Sequence, residues 1–238
     1  MVLHVRDKTG RFGHRPHYKP EEIDVECENI ITAFLRDLIG EVRFPIVTDD
    51  LTKLIEQDVA DLDLYADLSQ FGPDVEGVTE FRSGRKPRVK IAQELSEDAY
   101  RENRLRTTLT HEYGHVRFHT YLWDLEALQG DLFRKQGQSE VGICKRDTML
   151  RAPQTDWMEW QAGYVCGALL MPVSYVKGLV RSYLEQHDLF SPVHATSHHG
   201  QALTALMIDT FQVSHDAARV RLAKLGFIEE FDHGPSLL

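Results

Sequence analysis

Apolar positions recur at helical spacing over residues 21–39, where Ile23, Ile30, Ile31, Phe34, Leu35 and Leu38 form one stripe that stops at Gly40. The pattern predicts a helix there and a shorter one from about Asp49 to Ala60. Residues 61–80 are acidic and alternate in places (Leu62, Leu64, Ala66, Leu68), with a turn at Gly72-Pro73-Asp74. Period-two patterning is clearer over 76–93: EGVTEF and RVKIAQ flank RSGRKP, and Val89 and Ile91 alternate with Arg88 and Lys90, which predicts a β-hairpin. Ser96-Glu97-Asp98 opens a long helix through RENRLRTTLTHEYGHVRFHTYLW, with its acids near the positive end of the helix. Residues 124–156 carry no firm period and read as a long connection holding Lys145, Arg146, Arg151 and Pro153. The apolar stretch DWMEWQAGYVCGALLM predicts a helix stopped by Pro172, and a further helix follows over Val173–Gln186. A polar stretch with Pro192, His194, His198 and His199 then gives way to GQALTALMIDTF and HDAARVRLAKLG, joined by QVS. Ser214 suits the N-cap of the last helix and Gly226 its C-terminal stop. Residues 1–20, basic and His-rich with Gly10, Gly13 and Pro20, read as an irregular lead-in.

Strands come early and nearly everything after residue 95 is helical, so the expected class is α+β: mostly helical, with a small early β-sheet and C-terminal helices. The expected division is a lead-in over 1–20, a core over 21–190, and a C-terminal helical segment over 191–238 with a helix-turn-helix-like layout.

The chain of 238 residues has 42% hydrophobic and 27% charged residues, which excludes disorder as its main state. No apolar run reaches the roughly 18 residues that a bilayer span needs, and MVLHVRDKTGRFGHR lacks the apolar segment of a signal peptide. Three scattered cysteines (Cys27, Cys144, Cys166) form no disulfide framework and fit a reducing cytoplasm. Cys166 reads as a buried hydrophobe, whereas Lys145 and Arg146 beside Cys144 would favour its thiolate. With 37 acidic against 27 basic residues the net charge is -10, which argues against nucleic acid as the main partner.

The chemistry concentrates at His111-Glu112-Tyr113-Gly114-His115. Histidines four apart on a helix face the same way, so both rings can reach one zinc ion. Glu112, next to the first, can take a proton from a water at the metal. A third protein ligand is needed. His119 continues the face, but positions i, i+4 and i+8 rise about 12 Å along the axis, too far for one ion, which leaves His119 as a contact of a ligand or a packing residue. Glu159, 44 residues after His115 at the start of an apolar helix, is the better candidate, because a carboxylate among buried neighbours needs a cation. Asp156, and then His198 and His199, are the alternatives.

Three blocks in order, TLTHEYGHVRFH (Thr108 to His119), EWQAGYVCGALLMP (Glu159 to Pro172) and FQVSHDAARVRLAKLG (Phe211 to Gly226), resemble the ImmA/IrrE family of metallo-endopeptidases. The second block departs from the family pattern at Gly163, Val165 and Cys166, and residues 1–75 carry no transferable motif. The resemblance implies a compact zincin-like, gluzincin-type metallopeptidase fold, with His111, His115 and Glu159 as metal ligands and Glu112 as catalytic base. It also implies a cytoplasmic protein substrate, a helix-turn-helix repressor encoded nearby, often tied to a mobile element.

The expected cofactor is Zn2+, with Mn2+ or Fe2+ also suited to two histidines and a carboxylate. A donor for the anionic intermediate is open among Tyr113, Tyr121, Tyr164, Tyr175, His198 and His199. Arg88 to Gln93 is expected either to border the cleft as an exposed edge for an extended substrate or to be a plain sheet strand. Two readings of other classes stand beside the peptidase. One is a DNA-binding regulator using Arg219, Arg221 and Lys224 on the last helix; the other is a catalytically silent protein-interaction module.

Overall fold

The structure, a computed structural model, describes residues 2–128, 140–145 and 156–229. The chain is a mostly helical α+β protein, as its patterning predicts, and forms two units: Met1–Glu26 with Ile46–Cys166, and Cys27–Pro45 with Gly167–Leu238. No single helix among the described residues is long and apolar enough to cross a membrane.

The first unit opens with strands β1 (Leu3–Arg6) and β2 (His14–His17), paired antiparallel. This corrects the irregular lead-in expected over 1–20. Four-residue strands rich in His and Arg give no apolar alternation to read. They are held from outside themselves. The buried Asp7 carboxylate accepts hydrogen bonds from the backbone N–H of Thr9 and Phe12, which shapes the turn. Phe12 is buried against Trp123 and Trp157, with ring centroids 5.0 and 6.2 Å away.

Helix α1 (Pro20–Ile39) belongs to the first unit as far as Glu26 and to the second from Cys27. Next come α2 (Thr48–Asp58), which buries Leu51, Leu54 and Ile55 at helical spacing, and β3 (Asp61–Ala66). Strands β4 (Val75–Arg82) and β5 (Arg85–Ala92) form the expected hairpin. A single helical turn, α3 (Gln93–Ser96), leads to the long α4 (Glu102–Leu128). Asp98 caps the short 3-10 turn before α4 by accepting from Tyr100 N, so the long helix starts later than the Ser-Glu-Asp pattern suggests.

A strand, β6 (Glu140–Lys145), then lies inside what reads as a structureless connection. The sheet order is β3-β5-β4-β6, with β3 parallel to β5 and the other pairs antiparallel. Strand β5 is therefore paired on both sides and offers no free edge; the expectation of an exposed edge at Arg88 to Gln93 is overturned. Its alternation is real nonetheless, because Val89 and Ile91 are fully buried between outward Arg88 and Lys90. The side chain of Cys144, and Arg146, Arg151 and Pro153, lie outside the described residues.

Helix α4 packs on the sheet and on α2. Its middle turns are buried on more than one face: Thr107, Thr108, Thr110, His111, Glu112, Tyr113 and His115 are all inaccessible. The threonines are poor helix formers in isolation. Each here returns its hydroxyl to the carbonyl four residues back (Asn103, Arg104 and Arg106), so none of these three hydroxyls is left unpaired. Helix α5 (Trp157–Leu170) crosses α4 at Gly114, where a β-carbon would lie 3.0 Å from Ala162 Cα and 3.2 Å from Val165 Cβ. The glycine in HEYGH is what lets the two helices approach so closely.

The second unit holds the rest of α1, then α6 (Val173–Gln186), β7 (Val193–His194), α7 (His198–Phe211), α8 (His215–Lys224) and β8 (Ile228–Glu229), with β7 and β8 paired parallel. Ser197 and Ser214 cap α7 and α8 by accepting from Gly200 N and Ala217 N at 3.1 Å. Gly226 follows with φ +74°, as its place after the last helix predicts. Arg221, one of the three basic residues that a DNA reader would use, is 2% exposed, and its Nε donates to Met171 O.

A side chain at Gly114 must push α4 from α5. Gly114→Val should lower unfolding free energy by about 1–3 kcal/mol, the usual cost of overpacking, despite removing a flexible glycine from mid-helix. Urea denaturation of the two proteins measures it.

Candidate metal centre

Helix α4 places His111 and His115 one turn apart, both fully buried, and the crossing at Gly114 brings Glu159 of α5 to face them. His111 Nε2 lies 3.2 Å from His115 Nε2. Glu159 Oε2 lies 3.1 Å from the first of these nitrogens, and Oε1 lies 3.1 Å from the second. Ligands about 2.0–2.1 Å from a tetrahedral ion are spaced about 3.3–3.4 Å from one another. The three side chains already hold nearly that spacing, so His111, His115 and Glu159 could hold a metal ion. They are the one group of three or more His, Cys, Asp or Glu side chains among the described residues gathered closely enough to do so. Asp156, the nearest alternative, is exposed and precedes α5, where its carbonyl accepts from Trp160 N. His198 and His199 open α7 in the second unit, where His199 Nδ1 lies 3.0 Å from Tyr183 Oη.

The two carboxylates at this place meet opposite conditions. Burial opposes the charge of Glu159, but His115 and His111 outweigh it and hold the carboxyl far below its ordinary value. Burial also opposes charge on His115, yet the Glu159 carboxylate prevails and raises that pKa. Glu112 is fully buried, and burial raises its pKa in spite of the neighbouring histidines and a hydrogen bond from Thr79.

That hydrogen bond orients Glu112. The Thr79 hydroxyl, from β4, donates to Oε2, whereas Oε1 is buried without any hydrogen-bond partner. Gly77, two residues earlier on the same strand, makes room: a β-carbon there would lie 2.5 Å from Oε1. Neither residue stands out in the sequence. Thr79 reads as an ordinary strand residue, and only the packing of β4 on α4 gives it a task.

His119, ruled out as a ligand by its distance along the helix, touches one instead. Its Nδ1 lies 3.0 Å from His115 Nδ1, and its Nε2 lies 3.0 Å from Gln161 Oε1. Gln161 in turn donates through Nε2 to Pro16 O of β2, at 3.1 Å. Burial, and next the charge of His115, depress the His119 pKa well below the usual histidine range, so that ring is neutral. An aromatic wall of Phe81, Trp123 and Trp157 closes this side; Phe81 and Trp123 stack at 3.8 Å, and Trp157 meets His119 edge-on at 5.5 Å.

Of the tyrosines open as donors to a reacting group, Tyr113 gives its hydroxyl to Asp58 at 2.7 Å and Tyr164 to Asp24 at 3.0 Å. Tyr121 is half-buried beside Tyr18, and burial, with Tyr18 close by, raises its pKa well above the usual phenol value. Tyr175 packs edge-on against Phe44 in the second unit, with centroids 4.7 Å apart.

A metal ion must take the place of the proton that Glu159 favours on His115. Binding should therefore release protons, and affinity should fall as pH drops through the raised His115 value. Calorimetric titration in two buffers of different ionisation enthalpy checks both. Glu159→Ala should lose more affinity than the ~10–100-fold that removal of a ligand's outer partner costs, with His111 and His115 left in place.

Compared with models of known protein families, the chain matches none, and no curated protein matches it.

Proposed function

We propose that this chain is a zinc-dependent endopeptidase of the ImmA/IrrE type that cuts a cytoplasmic protein, a helix-turn-helix repressor encoded nearby. The observation behind the chemistry is the convergence of His111, His115 and Glu159 within 3.1–3.2 Å beside a buried Glu112 oxygen that has no partner. The substrate class comes from the resemblance of the blocks at Thr108 to His119, Glu159 to Pro172 and Phe211 to Gly226.

His111, His115 and Glu159 would hold the ion. Zinc bound there would supply a Lewis acid and a water acidified to near-neutral pKa. Two histidines and one carboxylate leave the fourth position of a tetrahedral site open, which suits catalysis more than a purely structural role. Mn2+ or Fe2+ would satisfy the same donors.

Glu112 is the proton carrier. Thr79 holds Oε2, so Oε1 is the atom that accepts a proton from the attacking water and returns it to the leaving amine. Burial raises its pKa toward the working pH, which makes the return of the proton easier than from an ordinary surface glutamate. The aromatic wall on the His115 side limits access of bulk water.

A role as DNA reader draws less support. Arg221, one of the three basic residues on α8, is buried, and its Nε donates to Met171 O within the second unit. The overall charge of -10 also opposes a phosphate backbone.

Co-expression with the adjacent repressor, followed by intact-mass analysis, tests the function. One defined cut is expected, absent with Glu112→Gln at unchanged metal content. An intact repressor together with cleavage of many unrelated peptides would refute selectivity, and a Glu112→Gln protein that still cuts would remove Glu112 as the base. Thr79→Val should keep the metal and reduce turnover by about 10–100-fold, since a hydrogen bond to a charged group is worth ~1.5–3 kcal/mol; single-turnover kinetics on the zinc-loaded variant measures it.

A further inference from the structure

We propose that His119 and Gln161 are positioning residues, which dictate the nitrogen that His115 presents to the metal through a one-way chain of hydrogen bonds anchored on the Pro16 carbonyl. This deepens the metal-centre reading above and rests on it.

The direction of the chain follows from its anchor. A backbone carbonyl only accepts, and proline has no N–H to offer in its place. Gln161 must therefore turn its amide NH2 to Pro16 O, at 3.1 Å, which leaves Oε1 facing His119 Nε2 at 3.0 Å. An amide oxygen also only accepts, so His119 carries its proton on Nε2. The other nitrogen of that ring, Nδ1, is then a bare lone pair. It faces His115 Nδ1 at 3.0 Å, so His115 must carry a proton there and donate it. With Nδ1 committed as a donor, a neutral His115 presents the lone pair of Nε2 to the ion. A metal ion on His115 Nε2 requires the proton of that ring on Nδ1, so His119 Nδ1 must accept it, and the chain then runs one way from His115 to main chain.

His111 has no such guide: its Nδ1 is buried and without a hydrogen-bond partner. The orientation of the histidine pair thus depends on the chain behind His115. Imidazole ligands commonly gain ring orientation and basicity from a carboxylate or carbonyl on the far nitrogen. Here a neutral histidine and a glutamine carry that influence from a carbonyl two side chains away. Burial supports the assignment, because His115, His119 and Gln161 are each 0–1% exposed and each link is a direct contact of 3.0–3.1 Å.

The test measures zinc affinity by competition with a chromophoric chelator, in wild type and three variants checked for folding by thermal unfolding without metal. His119→Phe keeps a flat ring against Trp157 but removes the acceptor, and should weaken zinc binding about 10–100-fold. Gln161→Met keeps length and volume and should weaken it about tenfold, by freeing His119 to turn its proton toward His115. His119→Gln restores an acceptor and a donor in one planar group, and should recover affinity to within about tenfold of wild type. Long-range 1H–15N correlation on the zinc-loaded wild type should find His119 protonated on Nε2 and His115 on Nδ1. His119→Phe and Gln161→Met proteins that bind zinc within twofold of wild type overturn the proposal, as does a His119 proton on Nδ1. If His119→Phe does not fold, Gln161→Met and the tautomer spectrum decide the matter. Wild-type protein that takes up no zinc overturns the metal-centre reading as well; wild type that binds while the variants bind equally overturns the relay alone.

Discussion

Electron pairs repel, and this fold aims several of them at one another. Two imidazole nitrogens and two carboxylate oxygens meet at 3.1–3.2 Å, with both histidines fully buried and the carboxylate only slightly exposed. Only positive charge between them makes the arrangement favourable, either a proton or a metal ion. Much of the first unit serves that convergence. The glycine in mid-helix gives up side-chain packing so that α5 can lie on α4. The threonines around it satisfy their own hydroxyls within the helix, so that the turn can be buried at all.

Two glutamates beside the same histidines meet opposite electrostatic conditions, for reasons visible in their contacts. Glu159 sits against two possible cations and stays ionised. Glu112 receives one hydroxyl on one oxygen and nothing on the other, so burial dominates and raises its pKa. One carboxylate is thereby suited to hold a charge and the other to exchange a proton, the separation of tasks that acid–base sites achieve through environment.

How far the sequence discloses this depends on how local each feature is. The histidine pair is legible because four residues make one helical turn, and Glu159 because a carboxylate in an apolar helix has to be accounted for. The long helices and the β4–β5 hairpin are legible from their periods. The rest depends on register between distant elements. Thr79 and Gly77 matter only because β4 lies where it does on α4. Gln161 and Pro16 are 145 residues apart. The small hairpin β1–β2 has no apolar alternation of its own, since its stability comes from Asp7 and Phe12 meeting residues far along the chain. Strand β5 could be read as a strand but not as an inner one, because its second neighbour, β3, arrives by a parallel crossover that alternation does not report.

The hairpin also sets an order of events during synthesis. Asp7 accepts from Trp157 Nε1 across 150 residues, and Pro16 accepts from Gln161, so residues two before and two after Glu159 are tied to the beginning of the chain. A ribosome adding about 5–20 residues per second delivers the hairpin first and the histidine helix later. The carboxylate ligand and both residues that tether its helix come later still. Until that point His111 and His115 make at best a two-point site, weak and exchangeable. Closing so long a loop is slow compared with forming a helix, so the nascent protein would pass through a window in which a metal ion could come and go before α5 closes the site.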